Sequence, residues 1–247
     1  MSRLAALVSL LALCAPASAE TLKVLALRSE PFYYEKDGRP AGIEHDILEY
    51  FAKSRNATLD IEFVDSFSAL LERVQTKEAD IAAGTITITK ERTSRLAFSA
   101  GYFPVQVVLV ERMSASTKSL QELSGTKVGA FADTTAEDAL SAIPGIQIVT
   151  AGPLETWMAA IERGELRAAA ADSSSVIPAL DDFPSLKIGL ALSEQQAFGF
   201  AMPKGSPLEK DLSDHIRRLK ESGIYFRIVT AHMGARASEI VRAAKIE

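Results

Sequence analysis

Residues 79–92 carry the groups of this chain best suited to binding an anion. They read Ala-Asp-Ile-Ala-Ala-Gly-Thr-Ile-Thr-Ile-Thr-Lys-Glu-Arg, an apolar run that leads into threonines and cations. The pattern predicts a strand, a turn and a short helix capped by Thr89, whose hydroxyl can accept a hydrogen bond from a first-turn N–H group. Lys90 and Arg92 would oppose the helix dipole there unless an anion joined them. Free N–H groups, hydroxyls and a guanidinium favour a carboxylate ligand; the alternative is an ion pair between Arg92 and a surface acid.

Asp172 offers the complementary charge at the end of another apolar run, residues 166–171. Its alternative role is an N-cap for a helix over 173–180. A cation with N–H donors on one side and a lone carboxylate on the other match the zwitterion of an α-amino acid. The carboxylate of such a ligand would bind Arg92 and its ammonium would bind Asp172.

Asp133, Thr134 and Thr135 also follow a strand-like run. Thr134 and Glu137 have the spacing of a capping box, so ordinary helix capping is one interpretation. A cap still leaves other first-turn N–H groups free for an anion.

The elements that must position these residues repeat in order along the chain. Residues 23–84 and 127–171 both read strand, helix, strand, helix, strand, with helices near 44–54, 67–76, 135–142 and 154–163. This alternation predicts parallel sheets covered by helices, with ligands at the carboxyl ends of the strands. Runs 102–110 and 197–202 predict two extended connections between the halves. An amphipathic helix over 207–222 is expected to pack back on the first half.

The bulk properties point to an exported protein that does not bind nucleic acid. Arg3, an apolar run to Cys14 and Ala17-Ser18-Ala19 predict a secretory signal peptide cleaved after Ala19. The remainder of the chain contains no cysteine, and Leu13 makes Cys14 a poor lipidation site. A net charge of −5 argues against nucleic acid.

Several further motifs accompany the 80–92 segment, including Glu30-Pro31-Phe32, Gly42-Ile43-Glu44-His45-Asp46, Gly125-Thr126-Lys127-Val128-Gly129 and the run 198–205. With these motifs the chain resembles the family 3 extracellular solute-binding proteins, the polar amino-acid receptors of ABC transporters. The resemblance implies an α/β, two-lobed periplasmic-binding-protein fold of type II, each lobe a mixed, mainly parallel sheet flanked by helices. It implies that residues 20–106 with 198–247 form lobe 1 and that 107–197 form lobe 2, joined by two hinge strands.

The resemblance also implies roles for individual residues. Arg92 would hold the ligand carboxylate together with the N–H groups of Thr87 and Thr135, and Asp172 would pair with the ammonium. The carbonyl of Gly84 or Thr85 and the hydroxyl of Thr87 would contact the polar end of the ligand. Phe67 would form an apolar wall, although a phenylalanine that opens an amphipathic helix also suits a core.

The chain departs from the family pattern in two places. Arg28-Ser29-Glu30 stands where many members have an aromatic residue, which leaves open whether these side chains enter the pocket and whether Phe32, Tyr33 or Tyr34 replaces the wall. Arg167 replaces a common acidic residue, which we interpret as surface variation.

The expected function is capture of an amino acid or related small zwitterion in the periplasm by hinge closure, for delivery by a monomer to an ABC permease in the inner membrane. No catalytic activity, cofactor or metal is expected, and adjacent Glu44, His45 and Asp46 point in different directions on a helix. Two alternatives stay open. One is an enzyme like periplasmic cyclohexadienyl dehydratase, with Glu30 or Glu44 as general acid. The other is an accessory or sensor module of the same fold.

Overall fold

Two five-stranded sheets organise the computed structural model, which describes residues 20–234. The expected signal peptide, residues 1–19, and the last part of the expected lobe 1, residues 235–247, lie outside the described residues. The strands are β1 (Glu20–Leu27), β2 (Tyr34–Lys36), β3 (Arg39–Ala41), β4 (Ala57–Val64), β5 (Ile81–Ala83), β6 (Leu96–Phe98), β7 (Phe103–Val105), β8 (Val107–Arg112), β9 (Lys127–Gly129), β10 (Gln147–Val149), β11 (Ala168–Asp172), β12 (Leu186–Ala191), β13 (Gln196–Phe198) and β14 (Ala201–Pro203). The helices are α1 (Ile43–Ser54), α2 (Phe67–Gln75), α3 (Lys90–Arg95), α4 (Thr135–Ser141), α5 (Leu154–Arg163), α6 (Ser173–Ala179), α7 (Leu208–Glu221) and α8 (Ile224–Met233), with a 3₁₀ turn at Leu120–Leu123.

The first sheet has the strand order β4-β1-β5-β14-β6 and is the centre of what we call the first lobe. β4 and β5 flank β1 in parallel, and Val24 aligns with both Ile61 and Ile81. β14 enters antiparallel between β5 and β6. One face packs on α1, α7 and α8 and the other on α2, so both faces bury apolar side chains.

The second sheet has the order β10-β9-β11-β8-β12 and is the centre of the second lobe. Its first three strands are parallel, β8 runs antiparallel to them, and β12 pairs antiparallel with β8 and so runs in the direction of the first three. The first sheet has the same arrangement, with β14 as its one antiparallel strand. Helix α5 covers one face and α4 the other. Each predicted strand-helix repeat therefore places its first strand between its second and third.

A two-stranded ribbon connects the lobes. β7 and β13 pair antiparallel, with Phe103 opposite Phe198. The predicted continuous runs over 102–110 and 197–202 are each divided, because one part joins this ribbon and the other joins a sheet. The chain thus passes between the lobes twice.

The six helices for which the sequence predicts bounds, α1, α2, α4, α5, α6 and α7, lie within one residue of those bounds. Thr89 caps α3 with its hydroxyl, which accepts from the Arg92 N–H at 3.1 Å, as predicted. Helix α7 buries Leu208, Leu212 and Ile216 against the first lobe, which confirms the expected packing. Within residues 20–234, no helix has the length and apolar character needed to cross a membrane.

The interpretation of Arg167 as surface variation is wrong. Its guanidinium lies 3.2 Å from a carboxylate oxygen of Glu111, and it donates to the Thr117 hydroxyl at 2.6 Å. Glu111 is 1% exposed, and Thr117 donates to it in turn. A buried carboxylate requires such partners, because a charge removed from water without compensation is costly. Arg167 is itself half-buried and compensates the buried charge of Glu111 in the second lobe.

Candidate functional site

A cleft of about 900 Å³ lies between the lobes and collects the residues that the sequence singles out. Its walls come from the carboxyl ends of β1, β5 and β11 and from the segment that follows β9. All seven predicted site residues line it: Phe67, Gly84, Thr85, Thr87, Arg92, Thr135 and Asp172. Their roles toward a ligand stay predictions, but their placement in one cleft is what those roles require.

Arg92 is held rigidly in the wall of the cleft and is 4% exposed. Its Nη1 donates to the carbonyl oxygen of Thr87 at 3.1 Å, and its Nη2 donates across the cleft to the carbonyl oxygen of Asp133 at 3.5 Å. The guanidinium carbon lies 4.7 Å from the ring centroid of Phe67. No carboxylate pairs with Arg92 within residues 20–234, which contradicts the surface ion-pair alternative. Burial lowers the pKa of Arg92, although Glu91, Asp138 and Asp172 oppose that shift.

Asp172 ends β11 on the opposite wall. Across the part of the chain that the structure describes, its carboxylate makes no hydrogen bond or ion pair and does not cap α6. Burial raises the pKa of Asp172 to about 7, and the positive charge of Arg92 partly offsets this. The two side chains therefore interact through space without contact. A zwitterion that joined them would remove the electrostatic cost of both buried charges.

The backbone N–H groups of Thr87 and Thr135 line the cleft and have no acceptor among residues 20–234. The neighbours of Thr87 take the bridge to β13, since Ile88 donates to the carbonyl oxygen of Ala197 at 2.9 Å and Gly199 donates to that of Ile86. Thr135 is the first residue of α4. These donors suit a carboxylate.

The capping box that the sequence predicts at α4 is present in modified form. The hydroxyl of Thr134 accepts from the N–H of Glu137 at 3.5 Å, while the Glu137 carboxylate accepts from the N–H of Asp133 at 2.8 Å. Capping therefore uses the N–H groups of Asp133 and Glu137 and leaves the N–H group of Thr135 for a ligand.

Glu44 has a positioning role that the sequence does not reveal. It is fully buried, and its Oε1 accepts from the N–H groups of Gly84 at 3.1 Å and Thr85 at 2.9 Å. The hydroxyl of Tyr102 donates to the same oxygen. Burial raises the pKa of Glu44, and these hydrogen bonds lower it. Thr85 adopts φ 51°, so the carboxylate stabilises a turn that a threonine rarely forms alone.

Gly84 is required by close packing at the start of this turn. Its φ is 152°, and a Cβ there would lie 2.7 Å from the Cβ of Leu27. The first-turn position of Glu44 in α1 suggests only a favourable helix dipole, so its true partners are not visible in the local sequence.

The aromatic walls also differ from expectation. Phe67 lines the cleft as predicted, but Phe32 and Tyr33 are in the core and are 1% and 0% exposed. Phe131, which follows β9, provides a wall from the second lobe and packs on Trp157 with 4.7 Å between ring centroids. Its position at a strand's carboxyl end is the signal that could have identified it.

Arg28 and Glu30, which stand where many family members have an aromatic residue, both line the cleft. The Arg28 guanidinium binds Glu35 at 2.5 Å and lies over the Phe63 ring at 4.1 Å. The Glu30 carboxylate has no hydrogen-bond or ion-pair partner within residues 20–234.

His232 of α8 also lines the cleft. Its Nε2 lies 2.8 Å from Asp46, and its Nδ1 lies 3.2 Å from the hydroxyl of Tyr34. Asp46 also bonds His45 at 3.1 Å. No group of three potential ligands for a metal ion occurs in the described part of the chain.

Comparison with known families finds one whose model spans nearly all of the described residues. The model of the family described as bacterial extracellular solute-binding proteins, family 3, matches residues 22–235. The match covers both lobes and the ribbon between them.

Individual relatives are distant in sequence. The chain is 24% identical to the amino-acid-binding protein AabA of Dichelobacter nodosus over 198 residues, which cover 77% of this chain and 78% of AabA. It is 22% identical to a membrane-bound lytic murein transglycosylase F of Methylobacillus flagellatus, over 82% of this chain but 46% of that protein. The chain thus spans about half the length of that relative.

A solved structure agrees over most of the chain. The P235GK mutant of ArgBP from T. maritima superposes with a TM-score of 0.76 at 26% identity, covering 86% of this chain and 94% of ArgBP. The two-lobed α/β architecture of type II periplasmic binding proteins is therefore the fold of this protein.

Proposed function

The chain belongs to the bacterial extracellular solute-binding proteins of family 3, and we propose that it captures an amino acid between its two lobes. The observation that carries the proposal is the pair of buried, opposite and non-contacting charges, Arg92 and Asp172, on facing walls of one cleft. The ligand carboxylate binds Arg92 and the N–H groups of Thr87 and Thr135. The ligand ammonium binds Asp172 and the carbonyl or hydroxyl oxygens of the Gly84–Thr87 turn.

Binding favours the closed arrangement of the lobes, because one ligand can contact both walls only when they approach each other. The ribbon of β7 and β13 is the proposed hinge, and it marks the boundary between the lobes near residues 106 and 198. We further propose that the protein acts in the periplasm as a monomer and delivers its ligand to an ABC permease. The names of AabA and ArgBP, an amino-acid-binding and an arginine-binding protein, agree with this role.

The alternative of an enzymatic function requires a general acid in the cleft, and the placement of Glu44 argues against that role. That residue is fully buried behind the turn and accepts three hydrogen bonds, so it does not meet a substrate in the cleft. Glu30 is the remaining candidate acid at the rim. We therefore propose binding without a chemical step.

A thermal-shift screen tests the proposal, with protein that has been unfolded and refolded to remove any co-purified ligand. Amino acids, amines and dicarboxylates are compared, and a ligand at 100 times its Kd should stabilise the native state by about 2.7 kcal/mol. Stabilisation by at least one α-amino acid, and its loss for the amine that lacks the α-carboxylate, is the expected result. Product formation from prephenate or arogenate, without stabilisation by any amino acid, would favour the dehydratase alternative.

A further inference from the structure

The charges that line the cleft are strongly unbalanced. Six carboxylates face two guanidinium groups, a formal excess of four negative charges when His232 is neutral. The carboxylates belong to Glu30, Asp65, Asp133, Glu155, Asp172 and Asp182. Asp172 and Arg92 are committed to the two ends of the zwitterion, so the five other acids face the remainder of the ligand.

The basic side chains of the cleft are already neutralised by other residues. Arg28 forms its ion pair with Glu35, outside the cleft lining, and stacks on Phe63. His232 is bonded to Asp46 and Tyr34. By contrast, none of the five acid side chains has a hydrogen-bond or ion-pair partner anywhere in residues 20–234. The negative charge therefore acts on whatever enters the cleft.

The five acid side chains are exposed, but the cleft that they line also contains buried polar side chains. Thr87 and Arg92 line it and are 2% and 4% exposed, so polar side chains are buried there at a cost that a ligand can repay. Phe131 is 39% exposed, and an aromatic face next to carboxylates attracts a cation. The volume of about 900 Å³ exceeds what the shared backbone of an amino acid requires.

We propose that the ligand is a cationic amino acid, whose side chain ends in an ammonium or guanidinium group near these five acids. The inference rests on the proposed function, because the Arg92–Asp172 pair must hold the α-carboxylate and α-ammonium. The five acids lie on both lobes, with Glu30 and Asp65 on the first. Bringing the lobes together concentrates like charges, and a cation between them relieves the repulsion. A neutral side chain leaves the repulsion unchanged, and an acidic one adds to it.

Isothermal titration calorimetry with a matched ligand series tests the inference on refolded, ligand-free protein. L-Arginine and L-lysine are compared with L-citrulline, a neutral isostere of arginine, and with L-glutamine and L-glutamate. We expect a cationic ligand to bind about tenfold or more tightly than citrulline and glutamine, with a preference that weakens as salt is added. Equal or tighter binding of citrulline, glutamine or glutamate would overturn this inference and leave the proposed function intact. Failure of every amino acid to bind would overturn both.

Amide substitutions then test the acids themselves. E30Q, D65N, D133N, E155Q and D182N are measured singly and combined, with D60N on the exposed part of β4 as the control outside the cleft. The combined variant should lose about tenfold or more in arginine affinity while its citrulline affinity changes by less than about twofold. An unchanged ratio of arginine to citrulline affinity in the combined variant would contradict the inference, and so would an equal loss in D60N.

Discussion

The guanidinium of Arg92 and the carboxylate of Asp172 face one cleft from opposite lobes and form no ion pair with each other or with another residue of the described chain. Each is nevertheless within the electrostatic influence of the other, because the charge of Arg92 lowers a pKa that burial raises to about 7. A direct pair would satisfy both charges and leave little for a ligand to gain. Their separation keeps that interaction energy available for a zwitterion.

The first prediction concerns the shape of the Arg92 side chain. R92K keeps the positive charge but loses the planar fork that binds Thr87, Asp133 and, as proposed, a carboxylate. The binding free energy for an amino acid should become less favourable by about 1.5–3 kcal/mol, which is the typical contribution of hydrogen bonds to a charged group. Calorimetry measures the loss, and R95K, an exposed residue on the same helix, is the control. Equal affinities for R92K and the parent protein would exclude the carboxylate role.

The second prediction is a pH dependence of binding. Asp172 with a pKa of about 7 is largely protonated in weak acid, and only its ionised form attracts an ammonium. As the pH rises toward about 7, Kd should therefore fall by up to about tenfold per unit, and it should level off above that value. D172N should bind weakly with a flat profile. If the slope persisted in D172N, another group would be responsible.

The third prediction concerns stability and has the opposite sign. The pKa of Asp172 is raised above its unfolded value of 3.8, so between about pH 4 and pH 7 the native state binds more protons than the unfolded state. Its contribution therefore makes the ligand-free protein less stable as the pH rises through this window. Denaturant unfolding above pH 7 should show D172N to be more stable than the parent protein. A destabilised D172N at this pH would mean that the carboxylate has a favourable native partner.

The fourth prediction separates the positioning role of Glu44 from its role in the core. E44A leaves the N–H groups of Gly84 and Thr85 without their acceptor. Each unsatisfied group should lower the free energy of unfolding by about 1–3 kcal/mol. Affinity should also fall, even at temperatures where the variant is folded, because the turn loses its fixed shape. E44Q should recover most of the affinity, since its amide oxygen can still accept both bonds. An E44A variant that is less stable but binds normally would limit Glu44 to packing, and E49A on the exposed face of α1 is the control.

The fifth prediction tests the ion pair between the half-buried Arg167 and the buried Glu111. R167A leaves Glu111 with Thr117 and with Lys187 at 3.9 Å, and we expect the free energy of unfolding to fall by about 2 kcal/mol. Affinity should change by less than about twofold, because Arg167 does not line the cleft. R163A removes an ion pair between two exposed side chains and should lower the free energy of unfolding much less than R167A does. Equal effects of R167A and R163A on the free energy of unfolding would contradict the role of Arg167 as charge partner of the buried Glu111.

Residues at the ends of strands could be predicted from sequence because their placement follows from local pattern. The sequence of the 80–92 segment predicts its strand, its turn and the Thr89 cap. Parallel strands bring their carboxyl ends to the same edge of a sheet, so the residues that follow these strands are expected to lie together. The repeat of strand and helix likewise predicts both sheets. These features depend on residues that are close in the chain.

Contacts between distant residues could not be predicted in the same way. Glu44 meets Gly84 across 40 positions, and Arg167 meets Glu111 across 56. In both cases the sequence shows a charged residue that would be equally acceptable at the surface. A charged side chain at a helix end or in solvent needs no specific partner, so the sequence gives no sign that one exists. Only the packed structure shows that the charge is buried and which groups compensate it.

The position of β14 has a consequence for how the protein forms. This strand completes the first sheet between β5 and β6, yet it follows them by about a hundred residues, after the whole second lobe. During synthesis from the N terminus, the first lobe therefore lacks a central strand until nearly all of the chain has been made. The second sheet, by contrast, is built from one continuous stretch, β8 to β12, and can assemble first. The first lobe therefore reaches its native state only after the second lobe has been made.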